Sequence, residues 1–281
     1  MAARKKAAKA APEKAAKQAP KKTEKAAPAR ASKSASKKPA HAGKASPQAA
    51  SFEDVRERLE QAVPDAVCEL EHKNPFELLI ATILSAQSTD RTVNSVTPVL
   101  FKRWPTPKAL AEAGQEEVEE VVKRTGFFRN KAKSIRGAAA KIMSDHGGKV
   151  PKTIEELVEL PGVARKTANV VLGTGYGIAS GFVVDTHVTR VAGRLGLTEH
   201  TDPVKIEADL CQGFPEAHWV DMSHRVLLHG RYTCLAKRPY CRECPLNELC
   251  PAREDAAQGT WKERAAGEAS RLTHALKATA G

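Results

Sequence analysis

Residues 160–172, LPGVARKTANVVL, decide how the chain is read. Pro161-Gly162 demands a tight turn, because proline presets one backbone angle and glycine tolerates the left-handed region. An apolar helix follows, and two cations, Arg165 and Lys166, fall at its start. That is the positive end of the helix dipole, where an anion and not a cation is stabilised. Either the pair meets an anion from outside, or one of the two charges is lost. The preceding TIEELVEL, residues 153–160, is itself helical in pattern, so the string reads helix, tight turn, helix. Backbone N–H groups at such a turn bind phosphate without reading bases. Gly162, Ala164, Arg165 and Thr167 are the residues predicted to face a phosphate there.

Lys166 carries a sharper expectation. An ordinary lysine is protonated and a poor nucleophile at neutral pH. Desolvation, the helix dipole and neighbouring Arg165 would all disfavour the ammonium and make the amine able to attack an electrophilic carbon. A phosphate-contacting lysine is the plain alternative. Nineteen residues later comes VVDTHVTRVAGR, in which Asp185 is predicted to cap a helix. A capping carboxylate stays anionic, since N–H groups hydrogen-bond its charged form. Facing a sugar, it can stabilise positive charge developing at the anomeric carbon. A lysine nucleophile with an anionic aspartate is a constellation for cleaving an N-glycosidic bond.

Working outward, helix signatures recur along residues 51–234. SFEDVRERLEQAV begins with Ser51 as a cap. NPFELLIATILSAQ and TPKALAEA each place a cap residue before proline at the first helical position. QEEVEEVVKR stops at Gly126, and NKAKSIRGAAAKIMSDH stops at Gly147-Gly148. DTHVTRVAGRLG and HWVDMSHRVLLHGRYTC complete at least nine signatures together with the pair around the turn. GFVV, residues 181–184, is too short to assign. The expected fold class is all-α.

Charge is unevenly distributed. Residues 1–50 hold 14 of the 45 Lys/Arg but only 2 of the 33 Asp/Glu, so the formal net charge of +12 lies entirely in that segment. Its Ala, Lys, Pro and Ser texture cannot bury enough apolar surface to offset ordering entropy, so it is expected to be a disordered basic tail attracting nucleic acid. No run approaches the ~18 apolar residues of a membrane span, and no secretory apolar region is present at the N-terminus.

Cys234, Cys241, Cys244 and Cys250 are spaced C-x6-C-x2-C-x5-C. Four thiolates suit zinc or an iron–sulfur cluster. A single C-x2-C knuckle with long flanking arcs favours the cluster, and without a secretion signal a disulfide pair is disfavoured. Cys68 and Cys211 lie in or beside helical, apolar segments and read as buried free thiols. The arc LAKRPY between the first two ligands presents Lys237 and Arg238 as a phosphate-binding surface.

Taken with LLIATILSAQSTD (78–90), GFFRNKAKSI (126–135) and LHGRYTC (228–234), these motifs resemble the endonuclease III family of helix-hairpin-helix DNA glycosylases and abasic-site lyases. The resemblance spans about residues 52–252. It implies a six-helix domain over residues 68–180 containing the hairpin, and a [4Fe-4S] cluster domain from residues 51–67 plus 181–252. DNA would lie in the cleft between them. The 1–50 tail and a 253–281 extension fall outside it.

The resemblance also implies removal of oxidised pyrimidines in base excision repair. Lys166 would attack C1′ of a flipped nucleotide, and β-elimination would cut the strand after a Schiff base forms. Gln87 would fill the gap, and Phe127 or Phe128 would wedge the opposite strand. Arg129, Asn130, Lys131 and His187 join the expected DNA-contacting set. The implied protein is a bacterial, cytoplasmic, nucleoid-associated monomer that binds duplex DNA carrying a damaged pyrimidine or an abasic site. Three departures stand out. Ala164 replaces an expected second hairpin glycine and would be strained at positive φ. Phe127 is bulkier than the family pattern, and Thr125 is less apolar. Two other readings share many features: an adenine-mismatch glycosylase, and a non-catalytic iron–sulfur DNA-binding or redox-sensing protein.

Overall fold

The computed structural model describes residues 50–253, and the predicted 1–50 tail and 253–281 extension lie almost wholly outside that range. Among the described residues eleven α-helices run in order: α1 Phe52–Ala62, α2 Pro75–Ser85, α3 Asp90–Arg103, α4 Pro107–Glu112, α5 Gln115–Val122, α6 Phe128–Asp145, α7 Ile154–Val158, α8 Arg165–Tyr176, α9 Thr186–Leu195, α10 Pro203–Gly213 and α11 Trp219–Tyr232. No strand occurs among the described residues, and residues 181–184 are irregular. The fold is all-α, as the patterning predicts.

Side-chain caps set most helix starts. Ser51, Asn74, Thr89, Thr106, Thr153, Asp185 and Asp202 each accept a backbone N–H from the first turn that follows. Each satisfies a donor that the helix itself leaves open. Two helices, α3 and α10, lie where the sequence reading named none. α10 carries the same cap-then-proline start, Asp202-Pro203. α3 is disguised by Pro98 in its interior. Pro98 is exposed, so the bond it forfeits lies on the solvent side, while Val93, Val96 and Leu100 face inward.

Two apolar cores form. The first gathers α2 to α8 through residues such as Leu79, Ile80, Leu84, Leu100, Ile135, Leu157 and Leu172. The second joins α1 with α9 to α11, through Val55, Leu59, Phe182, Val191, Leu210, Met222 and Leu246. Phe214 stacks on Phe182 at 5.8 Å between centroids and meets Phe52 edge-on at 4.9 Å, which ties the chain's first helix to its later half. α8 packs into the first core through Ala168, Val171 and Leu172. A Cβ on Gly173 would stand 3.2 Å from Val220 of α11, so small residues let these helices approach closely. Arg165 on α8 reaches Glu207 on α10 at 3.0 Å.

Candidate active site and nucleic-acid interface

The turn between α7 and α8 is built as its sequence requires. Leu160 and Val163 are buried and anchor it from both sides. The N–H of Val163 donates to the Leu160 carbonyl at 3.1 Å. Gly162 has φ +81°, and a Cβ there would fall 2.8 Å from the Ser134 Cβ. Ala164 has φ −105° and ψ 170°, ordinary extended backbone. The strain anticipated for alanine is therefore absent: the hairpin needs one glycine, and Gly162 supplies it.

Ala164 is the N-cap of α8 and offers no side-chain acceptor, unlike the seven capped starts. The first N–H groups of α8 are left without a side-chain acceptor, and Lys166 beside them is exposed. Thr167 is half-buried behind it. The desolvation expected for Lys166 does not occur, because Ala168 and Asn169, not Lys166, take the inward face of this turn. Arg165 also departs from expectation. Its Nε and Nη2 donate to Glu207 at 3.0 and 3.1 Å, and Asn169 donates to the same carboxylate at 2.9 Å. Arg165 is thereby turned toward α10, and its charge is largely neutralised with respect to Lys166.

Asp185 caps α9. Its Oδ1 accepts from the N–H groups of His187 and Val188, both at 2.8 Å. His187, half-buried, lies 3.2 Å by Nδ1 from Arg190 Nη2, and Arg190 donates to the carbonyls of Gly230 and Cys234. A Cβ on Gly230 would meet the His187 Cβ at 2.8 Å, so α9 and α11 touch at this point.

Sequence reasoning gave no role to Asp90, the first residue of α3. Its Oδ2 accepts from Arg231 Nη1 at 2.6 Å. Arg231 also pairs with Glu69, which in turn accepts from the Tyr232 hydroxyl. Burial pushes the Asp90 carboxyl up from its ordinary value; the Lys166 ammonium opposes this, Asp185 reinforces it and His187 opposes it. Asp90 on α3 thus feels the charges of Lys166 on α8 and of Asp185 and His187 on α9. The signal available in sequence was Asp90 inside SAQSTD, where it reads as an ordinary first-turn acid.

Among the described residues, three non-glycine residues have left-handed backbone: Gln87 (φ 53°), Phe127 (φ 47°) and Arg238 (φ 55°). Such strain costs free energy and gathers at binding sites. All three belong to the predicted DNA-contacting set, and all are exposed. Phe127 is 66% exposed, whereas Phe128 packs against the first core with Arg129 over its ring. Of the two phenylalanines, only Phe127 projects into solvent. Arg129 and Asn130 are exposed; Lys131 is not. Lys131 is a correction: its Nζ is folded inside the loop and donates to the Thr125 carbonyl at 2.7 Å, so it is not available to a phosphate. Thr125 is buried and serves as that internal acceptor, which accounts for a polar residue at its position.

Cys234, Cys241, Cys244 and Cys250 line one hollow of about 400 Å³, measured out to its open mouth, together with Arg194, His229 and Leu246. Arg194 Nη1 lies 3.3 Å from Cys234 Sγ and donates to the Leu235 carbonyl at 2.7 Å, and its Nη2 reaches the Ala236 carbonyl. Burial pushes the Cys244 thiol up to about 12, with Cys234, Cys250 and Cys241 reinforcing the shift, and burial also raises Cys250. Bound metal would reverse that balance, since coordination deprotonates a thiol outright. No group of three His, Cys, Asp or Glu side chains among the described residues is arranged to hold a single metal ion. Four soft donors around one hollow, with a guanidinium against the first, fit an anionic sulfur-rich group. Lys237 and Arg238 are exposed on the adjoining arc. Cys68 and Cys211 pack against the first and second cores, and burial raises each thiol to about 11.

Residues 80–216 match the HhH-GPD superfamily of base excision DNA repair proteins. Endonuclease III of Synechocystis sp. (strain ATCC 27184 / PCC 6803 / Kazusa) is 52% identical over 196 residues, 70% of this chain and 90% of that protein. Endonuclease III of Bacillus subtilis (strain 168) is 45% identical over 195 residues, 69% and 89% of the two chains. A solved structure of a trapped endonuclease III–DNA covalent intermediate, an estranged-adenine complex, superposes with a TM-score of 0.68 at 42% identity, covering 72% of this chain and 96% of the other. The chain belongs to the endonuclease III family. It is a base excision repair enzyme, a DNA glycosylase with abasic-site lyase activity.

Proposed function

We propose that Lys166 is the nucleophile and Asp185 its carboxylate partner in removing oxidised pyrimidines from duplex DNA. The observation that carries this reading is the pair of helix starts. An exposed lysine stands at the uncapped start of α8, while the start of α9 is closed by an aspartate, and Asp90 feels the charges of both. Phosphate approaching the open N–H groups of α8 would bring the sugar of a flipped nucleotide to Lys166. The Lys166 amine, once deprotonated, attacks C1′, and the bond to the base breaks with its electrons leaving on the base. Asp185 stabilises the positive charge that develops on the sugar as the base departs and the new bond from nitrogen to C1′ forms. Ring opening gives an imine, and loss of a C2′ proton then expels the 3′ phosphate.

Gln87, Phe127 and Arg238 are the strained, exposed residues best suited to hold the distorted duplex, with Arg129, Asn130, His187 and Lys237 beside them. We assign Cys234, Cys241, Cys244 and Cys250 as ligands of a [4Fe-4S] cluster. The cluster would hold the basic arc in shape and offset burial of the thiolates. The two apolar cores support a division into a six-helix domain, residues 68–180, and a cluster domain, residues 51–67 plus 181–252, with DNA in the cleft. The basic residues 1–50 would add salt-sensitive attraction to the phosphate backbone. No described helix is long and apolar enough to cross a membrane.

Borohydride reduces an imine between protein and sugar to a stable amine. Mixed with a duplex carrying one abasic site, the wild-type protein is expected to be trapped through Lys166. Lys166→Ala should trap nothing while binding the duplex within about tenfold of wild type, as one contact contributes about 1 kcal/mol. Trapping by that variant at the wild-type rate would remove Lys166 from the chemistry.

A further inference from the structure

We propose that Glu207 of α10 is a positioning residue of the reaction. It holds Arg165 as an internal strut, not a phosphate contact, and so fixes the turn that carries Lys166 against the segment that leads to Asp185. This rests on the assignment of Lys166 and Asp185 as the reacting pair, and it brings in a third helix to which neither of them belongs.

The Glu207 side chain is only 10% exposed, and both its oxygens are engaged. Oε2 accepts from Arg165 Nε at 3.0 Å. Oε1 accepts from Arg165 Nη2 at 3.1 Å and from Asn169 Nδ2 at 2.9 Å. The guanidinium is therefore gripped by two parallel bonds, a geometry lysine cannot make. Asn169, one turn after Arg165 on α8, is buried and passes the link on: its Oδ1 accepts from the Ser180 hydroxyl at 3.0 Å. Beside Ser180 the backbone itself comes against the carboxylate. A Cβ on Gly181 would collide with Glu207 Oε1 and stand 2.9 Å from Asn169 Nδ2. Phe182 is then fully buried, the Val183 N–H donates to Ser223 Oγ at 2.9 Å, and Asp185 follows two residues later.

A buried carboxylate without a partner is costly, so Glu207 and Arg165 hold one another. Without that grip, the positive end of the α8 dipole and the neighbouring Lys166 would drive the guanidinium outward, toward solvent or phosphate. One carboxylate thus touches both segments. Lys166 is the residue after Arg165, and Asp185 lies four residues beyond Gly181. A misplacement of about 1 Å between reacting groups can cost about a hundredfold in rate. The register of these two segments is what Glu207 sets.

The test pairs two measurements, made where every variant is folded. One is the single-turnover rate of borohydride trapping at saturating abasic duplex, which removes affinity from the rate. The other is the salt dependence of binding to a duplex with a tetrahydrofuran abasic analogue, which cannot form the imine. Each phosphate contact contributes a slope of about −0.9 there. The double variant Arg165→Met with Glu207→Gln removes the pair and leaves no orphan charge. It is expected to trap about ten- to a hundredfold more slowly, with the wild-type salt slope. Glu207→Gln alone offers one acceptor oxygen where the carboxylate had two, so Arg165 is released toward phosphate. Its salt slope should steepen by about one and its binding tighten, while trapping slows as in the double variant.

Trapping at the wild-type rate by the double variant would overturn the proposal whatever its melting temperature, since the bridge would then serve stability alone. A slope shallower by about one in that variant would overturn it too, because Arg165 would then be a phosphate contact. Should the double variant not fold, Glu207→Gln carries the test: slower trapping with a steeper slope supports the strut, and an unchanged rate or an unchanged slope rejects it. Lys166→Ala runs beside them. If wild-type protein itself is not trapped through Lys166, the assignment of the nucleophile fails instead, and the two failures are told apart.

Discussion

The starts of α8 and α9 lie twenty-one residues apart in sequence, at Arg165 and Thr186, and they are finished in opposite ways. At α9 the helix is sealed: Asp185 accepts two N–H groups and places a negative charge at the positive end of the dipole. At α8 the cap is Ala164, which accepts nothing, and the first turn carries Arg165 and Lys166. Judged by helix stability alone, α9 is well made and α8 poorly made. The first turn of α8 is compensated elsewhere. Glu207 takes Arg165, and Leu160 and Val163 bury the turn beneath it. The difference leaves the start of α8 open where that of α9 is closed, as the proposal that α8 meets an anion from outside requires.

The largest expected effect comes from separating the two roles of Asp185. Asp185→Asn retains an oxygen for the cap but not the charge. Strand cleavage should fall about 10²- to 10³-fold, the scale of one electrostatic stabiliser in a buried site, with little change in melting temperature. Asp185→Ala should lose the same rate and also about 1 kcal/mol of stability, the usual worth of an N-cap. If the asparagine variant cleaves normally, the α9 aspartate is only a cap.

Next in size is Gly162→Ala. A Cβ at φ +81° and 2.8 Å from Ser134 should cost about 1–3 kcal/mol, seen as a lower melting temperature. The contrast is with Ala164, where the backbone is unstrained. Ala164→Asp would give α8 the cap that α9 has. Stability should rise by about 1 kcal/mol, while affinity for duplex DNA should drop about tenfold, equivalent to about 1.4 kcal/mol, because the new carboxylate meets the phosphate. Tighter DNA binding by this variant would mean the α8 start does not face the backbone of DNA.

Much of this was legible in sequence for a physical reason. Cap residues, proline at the first helical turn and glycine after the last turn act locally, so the boundaries of most helices, the turn at Gly162 and the cap at Asp185 follow from a few neighbouring residues. Exposure and pairing are not local. Lys131 looks like a surface cation in GFFRNKAKSI, but its long side chain finds the Thr125 carbonyl inside the loop. Arg165 looks available until α10, forty residues on, brings Glu207 against it. Asp90 is an ordinary helix-start acid until α11 brings Arg231 against it. The left-handed backbone at Gln87, Phe127 and Arg238 has no sequence signal either, since none is the glycine or asparagine such a conformation favours. α3 was hidden because Pro98 argues against a helix interior, and only the fold shows that its missing bond faces solvent.

The smallest expected effect concerns the far end of α8, where His224 of α11 lies 3.0 Å by Nε2 from the Thr174 hydroxyl. Burial lowers the His224 imidazole below its ordinary value, with Asp221 opposing and Arg225 and His72 reinforcing. The folded protein therefore keeps this ring neutral where the unfolded chain would protonate it. Between the lowered folded value and the unfolded value of about 6.5, the unfolded chain holds more protons, so stability rises with pH. As pH falls below about 6.5, that contribution is lost, and urea midpoints should decline. His224→Gln keeps a hydrogen-bonding partner for Thr174 and cannot titrate, so it should flatten the decline without abolishing it. His229, which burial lowers to about 4, adds a slope of the same sign and remains in the variant. An unaltered slope in His224→Gln would mean that His224 gains its proton without leaving the contact with α8, and that this end of the helix, like its start, is open to water.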